Sequence, residues 1–110
     1  MLNMDMVGRM RENRVEVLGG ESAAEWKQVA GAVCEARRVR CELRGDGYGP
    51  SDHMPFYAAG IPVLHFFTDL HGDYHRSSDD WDKINAQGLV RVADFAAAVA
   101  TAMGNRPTRL

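Results

Sequence analysis

The sequence predicts an α/β domain in which helices pack on a largely parallel or mixed β-sheet. Short apolar segments alternate along the chain with longer segments whose apolar residues recur at helical spacing, and this alternation favours a layered architecture. No internal repeat or linker interrupts it. With 45% hydrophobic and 25% charged residues, the composition is that of an ordinary globular domain, and a chain of 110 residues builds one modest core.

Four segments have the pattern of β-strands. They comprise residues 2–7, 14–18, 39–43 and 62–68. The first alternates apolar with polar residues and presents Asp5 at its end, whereas the last is almost continuously apolar, as is typical of a central strand covered on both faces. His65 alternates with Val63 and Phe67 in that strand, so we expect a hydrogen-bonded core histidine there rather than a ligand.

Two longer segments have the periodicity of amphipathic helices. Ser22 followed by Glu25 has the pattern of a capping box, which predicts a helix that starts there and extends to about Arg37. The last helix is predicted to end at Gly104. It places one apolar stripe toward the core, formed by Leu89, Val92, Ala93, Ala96, Val99, Ala100 and Met103.

A glycine-rich loop over residues 45–50 precedes a short predicted helix. Ser51 is expected to cap this helix, which covers residues 52–59 and stops at Gly60. His53 lies inside it, and its position alone does not decide between a core and a functional role.

The charge pattern excludes nucleic acid as an expected partner. Thirteen basic and fifteen acidic residues give a formal charge of -2, without a basic stripe. The densest basic run is interpreted as a solvated helix end and strand face, and it comprises Arg37, Arg38, Arg40 and Arg44. No apolar run reaches the ~18 residues that span a bilayer, so no membrane partner is expected. The N-terminus lacks the pattern of a secretory signal, and the compartment is not predicted.

Cys34 and Cys41 are the only cysteines of the chain. Their spacing matches neither a metal knuckle nor a redox pair. We therefore predict two buried free thiols, with a disulfide between them as the alternative.

The loop after the last strand concentrates side chains that bind metals. It contains His71, Asp73, Tyr74, His75, Asp79, Asp80 and Asp82. Imidazole and carboxylate groups are zinc ligands, and loops at strand ends of α/β sheets are where ligands gather. The competing interpretation is that Asp79, Asp80 and Asp82 only cap the last helix and favour its N-terminal dipole.

Four ordered motifs resemble the zinc aminopeptidases of metallopeptidase family twenty-eight, of the bacterial leucyl aminopeptidase type. They are residues 3–8, residues 51–56, residues 60–62, and residues 74–79 followed by 82–85. The resemblance implies a three-layer αβα zinc-peptidase-like domain with a mixed, mostly parallel sheet. Residues 1–104 would form its C-terminal portion, and residues 105–110 a frayed tail.

The resemblance also implies roles for individual residues. Asp5 is similar to the aspartate ligand of one zinc, and His75 to the histidine ligand of the other. Tyr74 resembles the phenol that hydrogen-bonds the developing oxyanion in some members. Asp79 is similar to an aspartate that accepts a hydrogen bond from the ligand loop or imidazole.

Residues Ser51, Asp52 and His53 resemble a segment beside the substrate pocket. Two positions depart from the family pattern, since Ser77 replaces a usual proline and Asp69 a frequent glycine. Neither change removes a ligand, and aspartate tolerates the left-handed backbone that a glycine would adopt.

The function implied is removal of N-terminal residues from peptides by a two-zinc site. The family also requires an H-x-D segment and a pair of glutamates, and the chain has no adjacent glutamate pair. We therefore expect the isolated chain to be inactive, to require the missing N-terminal part of the domain as a partner, and to self-associate through its exposed sheet edge. The alternatives are a non-catalytic remnant or interaction module of this fold, and a carboxypeptidase or glutaminyl cyclase relative.

Overall fold

The computed structural model describes residues 1–110 and contains four strands and three α-helices. The strands are β1 (Leu2–Met4), β2 (Arg14–Leu18), β3 (Arg40–Arg44) and β4 (Leu64–Phe67). The helices are α1 (Trp26–Arg37), α2 (Met54–Ala58) and α3 (Ala86–Gly104), and a 3₁₀ turn, Trp81–Lys83, precedes α3. No helix combines the length and the apolar character needed to span a membrane.

The four strands form one mixed sheet in the order β1-β4-β2-β3. The pairs β1/β4 and β2/β3 are parallel, whereas β2 and β4 run antiparallel. This arrangement confirms the predicted α/β class with a mixed sheet. Because β1 and β4 run in the same direction, the chain leaves both strands at one edge, which we call the carboxyl edge.

The two long helices pack together on one face of the sheet and enclose the core. Phe66 of β4 meets Phe95 of α3 edge to face, with ring centroids 5.4 Å apart. Val15 and Val17 of β2 lie on the same face and are fully buried. Side chains alternate between faces along a strand, so His65 points away from this core and toward the segment that leads into α2.

Both predicted helix caps are wrong, because the two serines bind distant groups instead. The N-cap of α1 is Glu25, with no side-chain cap. Ser22 Oγ donates to the carbonyl of Val63 at 2.8 Å and accepts from its amide at 3.0 Å. Likewise the N-cap of α2 is His53 without a side-chain cap, since the hydroxyl of Ser51 is used at the carboxyl edge.

Cys34 and Cys41 form a disulfide that joins the end of α1 to β3. The prediction of two free thiols is therefore wrong, and its alternative is correct. A left-handed residue, Arg38 (φ 53°), reverses the chain between the two cysteines, so the helix end and the strand come within bonding distance. The interpretation of the basic run as a solvated surface is confirmed, since Arg37 and Arg40 pair with acidic residues at the surface.

Candidate active site at the carboxyl edge

Asp5 follows β1 directly and lies at the carboxyl edge. Its amide donates to the carbonyl of Phe66 at 3.3 Å, which extends the β1/β4 pairing by one residue. Its carboxylate accepts a hydrogen bond from Ser51 Oγ at 2.8 Å. The backbone and the side chain of Asp5 are therefore both held, while the residue stays exposed.

A polar network behind Ser51 connects Asp5 to the interior. The side-chain amide nitrogen of Asn3, Nδ2, donates to Ser51 Oγ at 2.9 Å and lies 3.0 Å from His65 Nδ1. Because an amide nitrogen only donates, Nδ1 of His65 accepts and its proton sits on Nε2. The ring of His65 stacks on that of His53, with centroids 4.5 Å apart.

Burial disfavours the protonated form of both of these histidines. His53 is 1% and His65 5% exposed, and desolvation lowers the pKa of each ring below 6.5. The carboxylates of Asp5 and Asp52 act in the opposite direction on His53. His65 is buried and hydrogen-bonded as predicted, but it lies on the face of the sheet opposite the hydrophobic core, and His53 proves to be buried beside it.

Tyr74 and His75 lie in the loop between β4 and α3. Their rings stack with centroids 3.9 Å apart, and both residues are exposed. His75 has a left-handed backbone (φ 53°), which costs a residue with a bulky side chain of the order of 1 kcal/mol or more. Strained residues of this kind cluster at functional sites.

Two more residues at this edge have left-handed backbones. Met6, directly after Asp5, has a φ of 53°, and Asp69, two residues after the end of β4, has a φ of 74°. Asp69, which the resemblance places where glycine is frequent, has the left-handed backbone that aspartate tolerates. Its own Oδ1 accepts from the amide of Leu70 at 2.7 Å, a local bond that suits aspartate to this conformation.

Asp79 interacts with Arg9, a residue that sequence reasoning did not single out. Asp79 Oδ1 accepts from the guanidinium of Arg9 at 2.5 Å. Its second oxygen lies 3.9 Å from Nε2 of His71. Arg9 also binds Asp73 at 3.3 Å. These residues are more than 60 positions apart in the chain, so no local pattern reveals the contact.

Asp73 is the centre of this ionic cluster. It accepts from Lys83 Nζ and from Ser78 Oγ, each at 2.7 Å. The hydrogen bond from Lys83 has the largest effect, and that from Ser78 the next, in holding the pKa of the Asp73 carboxyl well below its usual range. The structure contradicts the interpretation that the later aspartates cap α3. The N-cap is Asn85, whose side-chain oxygen accepts from the amide of Gly88 at 2.9 Å.

The predicted site residues therefore form two groups at the carboxyl edge. Asp5 and Ser51 belong to the first group, and Tyr74, His75 and Asp79 to the second. The segments that carry the two groups are joined at Asn85, whose backbone amide donates to the carbonyl of Gly8 at 2.9 Å. No three histidine, cysteine, aspartate or glutamate side chains come close enough to hold a metal ion.

The fold and this edge together define the class of protein, an α/β domain with a mixed sheet whose candidate site lies where β1 and β4 end. The model of Peptidase family M28 matches residues 1–100, and the chain belongs to that family. No curated protein sequence matches the chain.

Three solved structures have the same fold as this chain. The LapA aminopeptidase of Legionella pneumophila superposes with a TM-score of 0.80 at 20% identity, covering 97% of this chain and 31% of LapA. BSAP, a zinc aminopeptidase from Bacillus subtilis, gives a TM-score of 0.72 at 25% identity, covering 90% of this chain and 26% of BSAP. LapB from Legionella pneumophila gives a TM-score of 0.79 at 16% identity, covering 96% of this chain and 31% of LapB. The chain thus spans about a third of these proteins or less.

Proposed function

We propose that residues 1–104 are the C-terminal portion of a two-zinc aminopeptidase catalytic domain, in which Asp5 ligates one zinc ion and His75 the other. The parallel pairing of β1 with β4 carries the proposal, because it brings the chain out of both strands at the carboxyl edge. Residues 105–110 would form a tail outside the catalytic portion.

The chemistry of the donors supports zinc. A carboxylate and an imidazole are among its usual ligands, and BSAP is described as a zinc aminopeptidase. Since the chain itself assembles no group of three donors, each ion would take its remaining ligands from the part of the domain that the relatives have in addition. Bound zinc supplies Lewis-acid polarisation of the scissile carbonyl.

The other residues of the edge act on the substrate or on the ligands. The hydroxyl of Ser51 fixes the orientation of the Asp5 carboxylate. Tyr74 would donate its phenolic hydrogen to the oxygen that gains negative charge during hydrolysis. Asp79 would hold the loop of His75 in place through its ion pair with Arg9, and the segment from Ser51 to His53 would border the substrate pocket.

The substrate of the complete domain would be the N-terminal residue of a peptide. The chain alone is expected to be inactive, because it holds one proposed ligand for each zinc ion. Its partner would be the rest of the domain, which would also pair with an open edge of the sheet, since β1 and β3 are both edge strands.

A second candidate function is that of a non-catalytic remnant or interaction module. The observation that favours it is the absence of any three-donor group within residues 1–110. The coding sequence upstream of Met1 discriminates between the two. An in-frame H-x-D segment and a glutamate pair support the peptidase, and their absence supports the remnant.

Assays of the protein encoded by the complete reading frame test the peptidase proposal. Aminoacyl anilides should be hydrolysed in a zinc-dependent manner. Substrates of carboxypeptidases, and peptides with the N-terminal glutamine that a glutaminyl cyclase converts, should not react. His75→Ala should lower kcat/KM roughly a thousandfold and remove one of two zinc ions. The control Asp80→Asn removes an exposed carboxylate of the same loop and should leave kcat/KM and the zinc content unchanged. Full activity of the His75→Ala variant would refute the assignment.

A further inference from the structure

We infer that Arg9 is a positioning residue that sets the separation between the segment carrying Asp5 and the segment carrying His75. Its consequence for zinc rests on the proposed function, whereas the geometry on which it depends does not. Arg9 comes four residues after Asp5, and its two carboxylate partners lie on either side of His75 in the sequence. One side chain therefore connects both proposed ligand segments.

The guanidinium of Arg9 binds two carboxylates at once. NH1 and NH2 lie 3.3 and 3.4 Å from Asp73 Oδ2, and NH2 lies 2.5 Å from Asp79 Oδ1. The side chain of Arg9 is only 17% exposed, so solvent screens these pairs less than ordinary surface pairs. The planar guanidinium holds several donors in fixed directions, which an ammonium group does not.

Arg9 is the only link of its kind to the middle of the loop. The start of the loop is held by Arg11, which donates to the carbonyl of Leu70 at 2.9 Å. Its end is held by Asn85, which binds the backbone of Gly8 and Met10. Between these anchors, every hydrogen bond and ion pair from residues 71–84 to residues 1–13 involves Arg9.

The two carboxylates depend on Arg9 to different degrees. Asp73 keeps Lys83 and Ser78 as partners if Arg9 is removed. Asp79 would keep only the imidazole of His71, whose Nε2 is 3.9 Å away. Loss of Arg9 is therefore expected to release the part of the loop around Asp79 and to let His75 move relative to Asp5.

The separation of the two segments is measured by electron paramagnetic resonance of nitroxide labels. Met4→Cys and Arg76→Cys place labels at exposed positions next to Asp5 and His75, and the disulfide leaves no other free thiol. In this background Arg9→Met should make the distribution of label distances about twofold wider. Arg9→Lys should restore the narrow distribution only in part, because a single ammonium does not span both carboxylates.

A matched control separates positioning from general destabilisation. Arg37→Met removes an ion pair of 3.4 Å to Asp94 that joins α1 to α3 and involves neither residues 1–13 nor residues 71–84, and it should leave the distances unchanged. If Arg9→Met does not fold, Asp79→Asn tests the same link from its exposed side and should widen the distribution to a smaller extent. A distribution that stays narrow in the folded Arg9→Met or Asp79→Asn protein overturns the inference.

Zinc content of the complete protein provides the second measurement. Arg9→Met should weaken zinc binding about tenfold, whereas Arg37→Met should not. A wild-type protein without zinc would count against the proposed function and would leave the distance result to stand on its own. Unchanged zinc affinity together with widened distances would overturn the consequence for zinc and would show that Arg9 sets the separation of the segments without affecting the ligand.

Discussion

The segments that carry Asp5 and His75 lie at the same edge of the sheet but are held in opposite ways. Asp5 is connected through Ser51 and Asn3 to two buried, neutral histidines. His75 lies in a loop held by charged groups near the surface. Buried neutral networks are part of the cooperative core, whereas surface loops open locally. The comparison teaches that one proposed ligand is fixed by the fold and the other by electrostatics.

Removing the disulfide should give the largest effect and leave the comparison intact. It closes a ring over a sequence separation of 7, which corresponds to about 2.5 kcal/mol of stability by loop entropy. The double variant Cys34→Ala with Cys41→Ala should lose about this free energy of unfolding in urea. Hydrogen exchange in the native state should increase in residues 2–6, which exchange through unfolding of the cooperative core, and should change little in residues 71–84, which open locally. An equal increase in both segments would contradict this expectation.

His65→Leu should weaken the Asp5 segment selectively. The substitution removes the acceptor of Asn3 from a site that is 5% exposed, and an unsatisfied polar group of this kind costs about 1–3 kcal/mol. Hydrogen exchange should rise in residues 2–6 and stay unchanged in residues 71–84. The control Phe67→Leu changes an apolar neighbour on the same strand face and keeps the hydrogen bond. Equal effects of the two substitutions on residues 2–6 would refute the role of the network.

Mild acid should lower the stability of the protein through the two buried histidines behind Asp5. Burial lowers the pKa of His53 and His65 relative to the unfolded chain, so the folded state disfavours protonation. Their contribution to stability is therefore complete above pH 6.5 and is lost as the pH falls through the lower folded pKa values. Unfolding free energies measured from pH 8 to about pH 5 should decrease, and the decrease should be smaller in His65→Leu. An identical slope in both proteins would contradict the assignment.

Salt should have the smallest effect and act on the other segment. At 1 M ionic strength the screening length falls to about 3 Å, which weakens the pairs of Arg9 and Lys83 with their carboxylates. Hydrogen exchange of residues 71–84 should then increase about threefold, and residues 2–6 should be unaffected. The Arg9→Met protein should respond less to salt than the wild type, since only the pair of Lys83 with Asp73 remains to be screened. An equal response of wild type and variant would mean that other contacts hold the loop.

Local sequence patterns predicted most of the elements. The bounds of β2 and the end of α1 at Arg37 are as expected, because they depend on periodicity and on turn residues near in sequence. β1 is shorter than predicted, and β3 is shifted by one residue. The end of α3 at Gly104 is also correct.

The features that sequence reasoning missed depend on long-range contacts. Ser22 has the pattern of a cap, yet its hydroxyl binds Val63, which is 41 residues away. The disulfide is the exception, since its cysteines are only 7 residues apart, and it arises because a turn at Arg38 returns the chain to the helix end. Arg9 gave no signal in its own neighbourhood, since its partners lie in the loop after β4. The family resemblance supplied Asp5, Tyr74, His75 and Asp79 as candidates, and their roles stay predictions.

The central claim is that Asp5 and His75 each ligate one zinc ion. A crystal structure of the protein encoded by the complete reading frame, measured at the zinc absorption edge, tests it most directly. The account predicts two anomalous peaks at the carboxyl edge, one on the carboxylate of Asp5 and one on the imidazole of His75. Peaks held by other residues, or zinc-loaded crystals in which either side chain makes no contact with a metal, would contradict it.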